Sequence, residues 1–158
     1  MTHHKIYHYH HHRKPGLSTS LDQPQRDWRA IRDLLESSQL STRARTDALN
    51  VFAALAQAES EAHQVPVEDV HFHEVGAVDT IVDICGAAIG VEYLESDEVY
   101  CGAIRTGYGF VQSQHGLLPI PAPATTRLLD RYSVPTLGLP PEHAALEVEL
   151  LTPTGAAI

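Results

Sequence analysis

The run Val70-His71-Phe72-His73-Glu74-Val75-Gly76-Ala77-Val78-Asp79-Thr80-Ile81-Val82-Asp83 gathers two imidazoles and three carboxylates into one short stretch. These side chains hold divalent cations. Imidazole nitrogen suits nickel, zinc, cobalt or copper, and carboxylate oxygen supplies harder ligands. Val70 to Val75 mixes β-branched, aromatic and polar residues as a short strand does, and its period of two puts His71 and His73 on one face. Gly76-Ala77 breaks the strand. From Val78 the pattern is helical, and Asp79 and Asp83, four apart, share a face near the helix start. A strand edge with two histidines turning into a helix with two aspartates can surround one cation. His71, His73, Glu74, Asp79 and Asp83 are therefore the candidate metal ligands. Taken singly, each has a plainer role: His71 hydrogen-bonded in a core, Asp79 capping its helix. Taken together they favour function, because buried charges must be paired or must ligate something.

The elements that position these residues follow from periodicity and punctuation. Arg26 to Ser38 reads as an amphipathic helix with Trp28, Ile31, Leu34 and Leu35 on one side. Thr42 to His63 is a longer helix with Ala48, Leu49, Phe52, Leu55, Ala56 and Ala62 in its stripe, and the two are expected to form an antiparallel pair. Pro66 ends the second helix and pushes Val65 toward extended geometry. A helix from Val78 to Leu94 follows the His-Glu strand. Its Asp79, Asp83, Gly86 or Ala87, and Gly90 fall on one face, where small residues would admit a backbone or a ligand. Ile81, Ile84, Cys85 and Ala88 on the other side are expected to face a sheet. Val99 to Ile104 reads as a strand, Thr106 to Phe110 as a glycine-bracketed turn, and Leu118 to Pro123 as an extended, proline-stiffened loop opened by His115-Gly116. A helix over Ala124 to Arg131 and strands over Val134 to Leu137 and Leu146 to Leu151 complete the pattern. Thr152 then stands as an N-cap with Pro153 at the first helical position. Hydroxyls and backbone N–H groups at Thr152, Thr154 and Gly155 suit a phosphate, with ordinary capping as the plainer explanation. The fold class expected is α/β: a mixed sheet with packed helices over residues 26–158, preceded by an α-helical pair and a disordered His-rich tail over residues 1–25.

Composition narrows the function. The chain has 158 residues, 43% of them hydrophobic, enough for one domain with a core. The formal charge of −9 argues against nucleic acid, which needs a basic face. No apolar run approaches a membrane span and no signal peptide opens the chain, so a cytoplasmic location and no membrane partner are expected. Cys85 and Cys101 form no CxxC pair, and a disulfide is not expected. Six of the eleven histidines, His3, His4, His8, His10, His11 and His12, lie at the start of the chain. Lys5, Ile6, Tyr7 and Tyr9 interrupt them, which favours a natural metal-capturing tract over an expression tag.

The His71 to Asp83 run resembles the signature of LarC-type nickel insertion proteins. Three further stretches agree in the same order: Gly107-Tyr108-Gly109-Phe110-Val111, His115-Gly116-Leu117-Leu118-Pro119-Ile120-Pro121-Ala122-Pro123-Ala124-Thr125, and Leu151-Thr152-Pro153-Thr154-Gly155-Ala156-Ala157. The resemblance spans essentially the whole chain. It implies a nickel chelatase, of the lyase class, that uses CTP to insert nickel into pyridinium-3,5-bisthiocarboxylic acid mononucleotide, making the nickel-pincer cofactor of lactate racemase-type enzymes. It implies Ni²⁺ as substrate metal, CTP with Mg²⁺ or Mn²⁺, and His115 or Glu74 as the base. Thr152, Thr154 and Gly155 would line the nucleotide pocket. The family's opening strand with its Gly- and Asp-containing loop does not precede the His tract, and its C-terminal domain does not follow Thr154. The expectation is therefore a central fragment, with a separately encoded C-terminal domain or a homo-oligomer as partner. Two other readings stand beside it: a non-enzymatic nickel store or chaperone working through the His tract, and an inactive structural piece of a split enzyme.

Overall fold

The computed structural model of the chain describes residues 26–72, 78–113, 116–138 and 147–158. Helix α1 (Trp28–Glu36) starts where the Asp27 carboxylate accepts the Ala30 N–H at 2.7 Å, satisfying one of the donors that a helix leaves open at its first turn. Trp28, Ile31 and Leu35, spaced three and four apart, are its buried stripe. Helix α2 (Thr42–His63) is capped by Ser41, whose hydroxyl accepts from Ala44 N, and closes at Gln64 in the left-handed conformation (φ 57°). Its residues Ala44, Ala48, Phe52, Leu55 and Ala56 are buried. Both helices lie where the apolar period places them, except that Leu34, expected on the apolar side of α1, is exposed.

Helix α2 is the hub of the molecule. Helices α1, α3 (Val78–Tyr93), α4 (Pro123–Arg131) and the short α5 (Pro153–Ala157) all pack on it. The core is continuous, joining Phe52 of α2, Phe72, Ile84 and Ala88 of α3, and Leu128 of α4. Phe52 meets Phe72 edge-on, with ring centroids 6.2 Å apart, a favoured aromatic arrangement. The inner side of α3 thus packs on a helix, not on the sheet expected for Ile81, Ile84, Cys85 and Ala88. Alanine-rich α2 lets α3 come close, and apolar spacing alone does not tell a helix partner from a sheet. An added Cβ at Gly86 or Gly90 would meet nothing within 4 Å, so the close backbone approach expected at these glycines is not made among the described residues.

Two small sheets flank the helices. Strands β1 (Ile104–Arg105) and β4 (Thr136–Leu137) pair in parallel. Strands β2 (Gly107–Ser113), β3 (Gly116–Ile120) and β5 (Val148–Glu149) form an antiparallel sheet in the order β3-β2-β5. Three expectations are corrected here. The Gly107 to Phe110 segment is the start of a strand, not a turn. The first part of the proline-rich segment is β3, with a cis peptide bond between Ile120 and Pro121 at its end. The extended residues before β1 are shorter of partners than expected, so that strand begins only at Ile104. The expected Val70 to Val75 strand is, in its described part, a single antiparallel bridge between His71 and Asp27, framed by Trp28 N–H donating to Val70 O and Phe72 N–H donating to Arg26 O, each at 3.3 Å. On the Val70 side the ladder ends because the facing backbone turns into α1 at Trp28.

Candidate functional site

The N-terminal turn of α3 opens on a cleft of about 280 Å³, close to the lower end of small-molecule sites, which run from about 300 to 1,000 Å³. Asp79 and Asp83 reach it together because four residues is little more than one helical turn. Asp79 sits in the first turn of α3, where the open N–H groups favour negative charge, and Asp83 lies one turn on. The Asp79 Oδ1 also accepts the Thr80 N–H at 2.9 Å, which orients one oxygen toward the helix.

The opposite walls come from distant parts of the chain. Val111, Gln112 and Ser113 of β2 and Leu118 of β3 form one wall, and Glu149 of β5 with Thr152, Pro153 and Thr154 forms another. Strand β2 holds them both. Residues Gly107 and Glu149 are register partners, and the Leu150 N–H donates to Thr106 O at 3.2 Å. This close seating requires glycine. A Cβ at Gly107 (φ 83°) would stand 1.9 Å from the Val148 carbonyl oxygen, and one at Gly109 (φ 107°) would stand 2.8 Å from the Glu147 Cβ. The glycine pair thus lets β5 lie against β2 and delivers Glu149 and the following threonines to the cleft. Beyond β5, the Thr152 hydroxyl accepts the Gly155 N–H at 3.2 Å and caps α5.

Among the sequence candidates, the structure brings Asp79, Asp83, Thr152 and Thr154 to one cleft. His71 is exposed, sits on the bridge to Asp27 and is not part of the cleft lining. His73, Glu74 and His115 lie outside the described residues. Gly155 stands behind Thr152 as its capping partner. Thr80, Gln112, Ser113 and Glu149 are polar cleft residues outside the candidate site set. Glu149 had one signal, its alternation with Glu147 on a strand, whereas Gln112 and Ser113 had none.

The chemistry of this lining is oxygen-rich: three carboxylates (Asp79, Asp83, Glu149), four hydroxyls (Thr80, Ser113, Thr152, Thr154) and the Gln112 amide line one space. Among the described residues no three His, Cys, Asp or Glu side chains converge on a single point. A hard divalent ion fits such a lining when phosphate oxygens complete its shell, because Mg²⁺ is usually held by one or two carboxylates and its nucleotide. Nickel needs softer nitrogen or sulfur donors in addition. Burial pushes the thiol of half-buried Cys85 above its ordinary range, which favours the neutral thiol there.

The family described as "Nickel insertion protein" matches residues 2–158. Relatives named "Putative nickel insertion protein" include one from Thermomicrobium roseum, 51% identical over 136 residues, which are 86% of this chain and 32% of the relative. One from Geobacter sp. (strain M21) is 47% identical over 140 residues, 89% of this chain and 34% of the relative. One from Syntrophobacter fumaroxidans is 48% identical over 137 residues, 87% of this chain and 34% of the relative. The chain spans about a third of the length of these curated relatives. No solved structure matches it.

Proposed function

The chain belongs to the nickel insertion protein family, and from that premise we propose that its cleft takes part in CTP-dependent insertion of nickel into pyridinium-3,5-bisthiocarboxylic acid mononucleotide. The observation that carries this reading is the meeting of Asp79 and Asp83 with Ser113, Glu149, Thr152 and Thr154 in one cleft. A cleft lined by carboxylates and hydroxyls suits a nucleotide phosphate with its divalent ion. Asp79 and Asp83 would hold Mg²⁺ or Mn²⁺ together with the phosphate oxygens, and the ion would supply charge neutralisation for the phosphates. The threonine and serine hydroxyls would donate to phosphate oxygens.

Nickel is the substrate metal. Making a carbon–nickel bond replaces a ring C–H, so a base must take the ring proton while the carbon's electron pair goes to the metal. His115 and Glu74 are the proposed bases, and His71 and His73 are the proposed nitrogen ligands that receive the ion. The Asp79/Asp83 pair then belongs to the nucleotide side of the site, since its neighbours in the cleft are all oxygen donors or apolar.

The test separates the two metals. Calorimetric titration of the full chain with CTP and Mn²⁺ should show binding that Asp79→Asn with Asp83→Asn weakens by at least about tenfold, since even outer-sphere partners of a metal cost about that much. Unchanged affinity would remove the pair from the site. Nickel titration of a chain whose six tract histidines are alanine should leave one site, lost on His71→Ala with His73→Ala. Disappearance of all nickel binding with the tract alone would favour a nickel store over an insertion enzyme.

A further inference from the structure

The cleft leaves a large apolar surface unused at the other end of α3. Ile89 (47% exposed) and Tyr93 (84%), four apart, share one outer face of that helix. Leu94 (72%), Val99 (73%) and Tyr100 (85%) continue the exposure along the segment leading to β1. Glu92, Glu95, Asp97 and Glu98 are interleaved with them. Glu92 accepts the Ser41 hydroxyl at 2.6 Å, and Glu98 accepts the Tyr100 hydroxyl. The described cation in contact with this segment is Arg43, which donates to the Ser96 carbonyl at 2.6 Å and pairs with Asp47 at 4.0 Å. Contiguous apolar exposure rimmed by charge marks an interaction surface.

Charge selects the occupant. A twofold contact with a second copy would set the carboxylates of one patch against those of the other, and like-charge juxtaposition is costly. The complement is a basic segment with its own aromatic and aliphatic side chains. Residues 1–20 of this chain have that composition: Lys5, Arg13 and Lys14 with no Asp or Glu, and Ile6, Tyr7 and Tyr9 among the histidines.

Reach allows it. The described chain begins at Arg26, tied down by the His71–Asp27 bridge. That end of α1 lies by the far end of α2, where Arg29 pairs with Glu68, while the C-terminal end of α3 lies by the start of α2, through Ser41–Glu92 and Arg43–Ser96. The span is the length of α2, about 33 Å. From Arg26 back to Tyr9 the chain can extend about 55–60 Å.

We propose that the segment Lys5–Lys14 docks on this surface, with Ile6, Tyr7 and Tyr9 against Tyr93, Leu94 and Tyr100, and its cations against Glu95, Asp97 and Glu98. Docking parks the histidine tract at the end of α3 opposite Asp79, roughly 21 Å from the cleft along the helix axis. It does not rest on the nickel reading, and its test uses no metal. The full chain carrying Tyr7→benzoylphenylalanine is irradiated in chelator-containing buffer, and the photoproducts are mapped by mass spectrometry. The expected products are intramolecular and fall in residues 89–100. Adding Glu95→Lys and Glu98→Lys, both on exposed positions, should lower their yield by roughly fivefold or more, with the helical dichroism unchanged. Products scattered over the molecule, or a yield indifferent to the charge reversal, would overturn the proposal. Crosslinks to residues 89–100 found only in a dimer band would overturn it in favour of a second copy.

Discussion

Asp79 and Asp83 owe their shared position to helical spacing, so a change that keeps the helix but removes the charge isolates their role. Asp83→Asn alone should leave thermal unfolding within about 0.5 kcal/mol of the parent, as exposed substitutions do, while weakening Mn²⁺·CTP binding. A fall in both together would mean a structural role for that carboxylate. The two cysteines offer a second check at this scale. Cys101 is exposed, whereas Cys85 is half-buried with its thiol pushed up by burial. Only the thiolate is the nucleophile. Near neutral pH iodoacetamide should therefore modify Cys101 well before Cys85, and peptide mapping of a time course shows the order. Cys85 should catch up only as pH rises past the ordinary thiol range.

At the scale of elements, the fold leans on α2. Phe52 is wholly buried and touches both the Phe72 ring and the α3 side of the core, so Phe52→Ala should cost about 3–5 kcal/mol in urea unfolding. Asp27→Ala removes only a cap and should cost about 1 kcal/mol. A Gly107→Ala change tests the seating of β5, because its Cβ has no space beside the Val148 carbonyl. It should keep the helical dichroism set by α1 to α4 and lose nucleotide binding. The helices were legible in the sequence because their apolar stripes and caps are local: Thr42–His63 and Val78–Tyr93 lie where periodicity puts them. The sheet was not. Gly107, Gly109 and the prolines around Ile120 carry the composition of turns, and what makes them strands is pairing with segments far along the chain. The candidate site divides in the same way. Asp79, Asp83 and Thr152 announce themselves by spacing and capping chemistry, whereas Gln112, Ser113 and Glu149 enter the cleft only through strand register.

At the scale of the whole molecule, a net charge of −9 and an isoelectric point near 5.6 set the company the protein keeps. Duplex DNA should show no retardation by this chain even at low salt, since no counterions are released without a basic face. No helix among the described residues is long and apolar enough to cross a membrane. The distribution of the cleft along the chain has its own consequence in time. Asp79 and Thr154 are 75 positions apart, and at the ribosome's pace of about 5–20 residues per second the first is made roughly 4–15 s before the second. The β2 wall is complete at Ser113, 34 positions after Asp79, and until Thr154 is made the α3 carboxylates lack the β5 wall. A nucleotide that needs all three walls cannot nucleate folding or rescue a half-made chain. On the proposed reading, binding of such a nucleotide reports that β5 has been seated on its glycines.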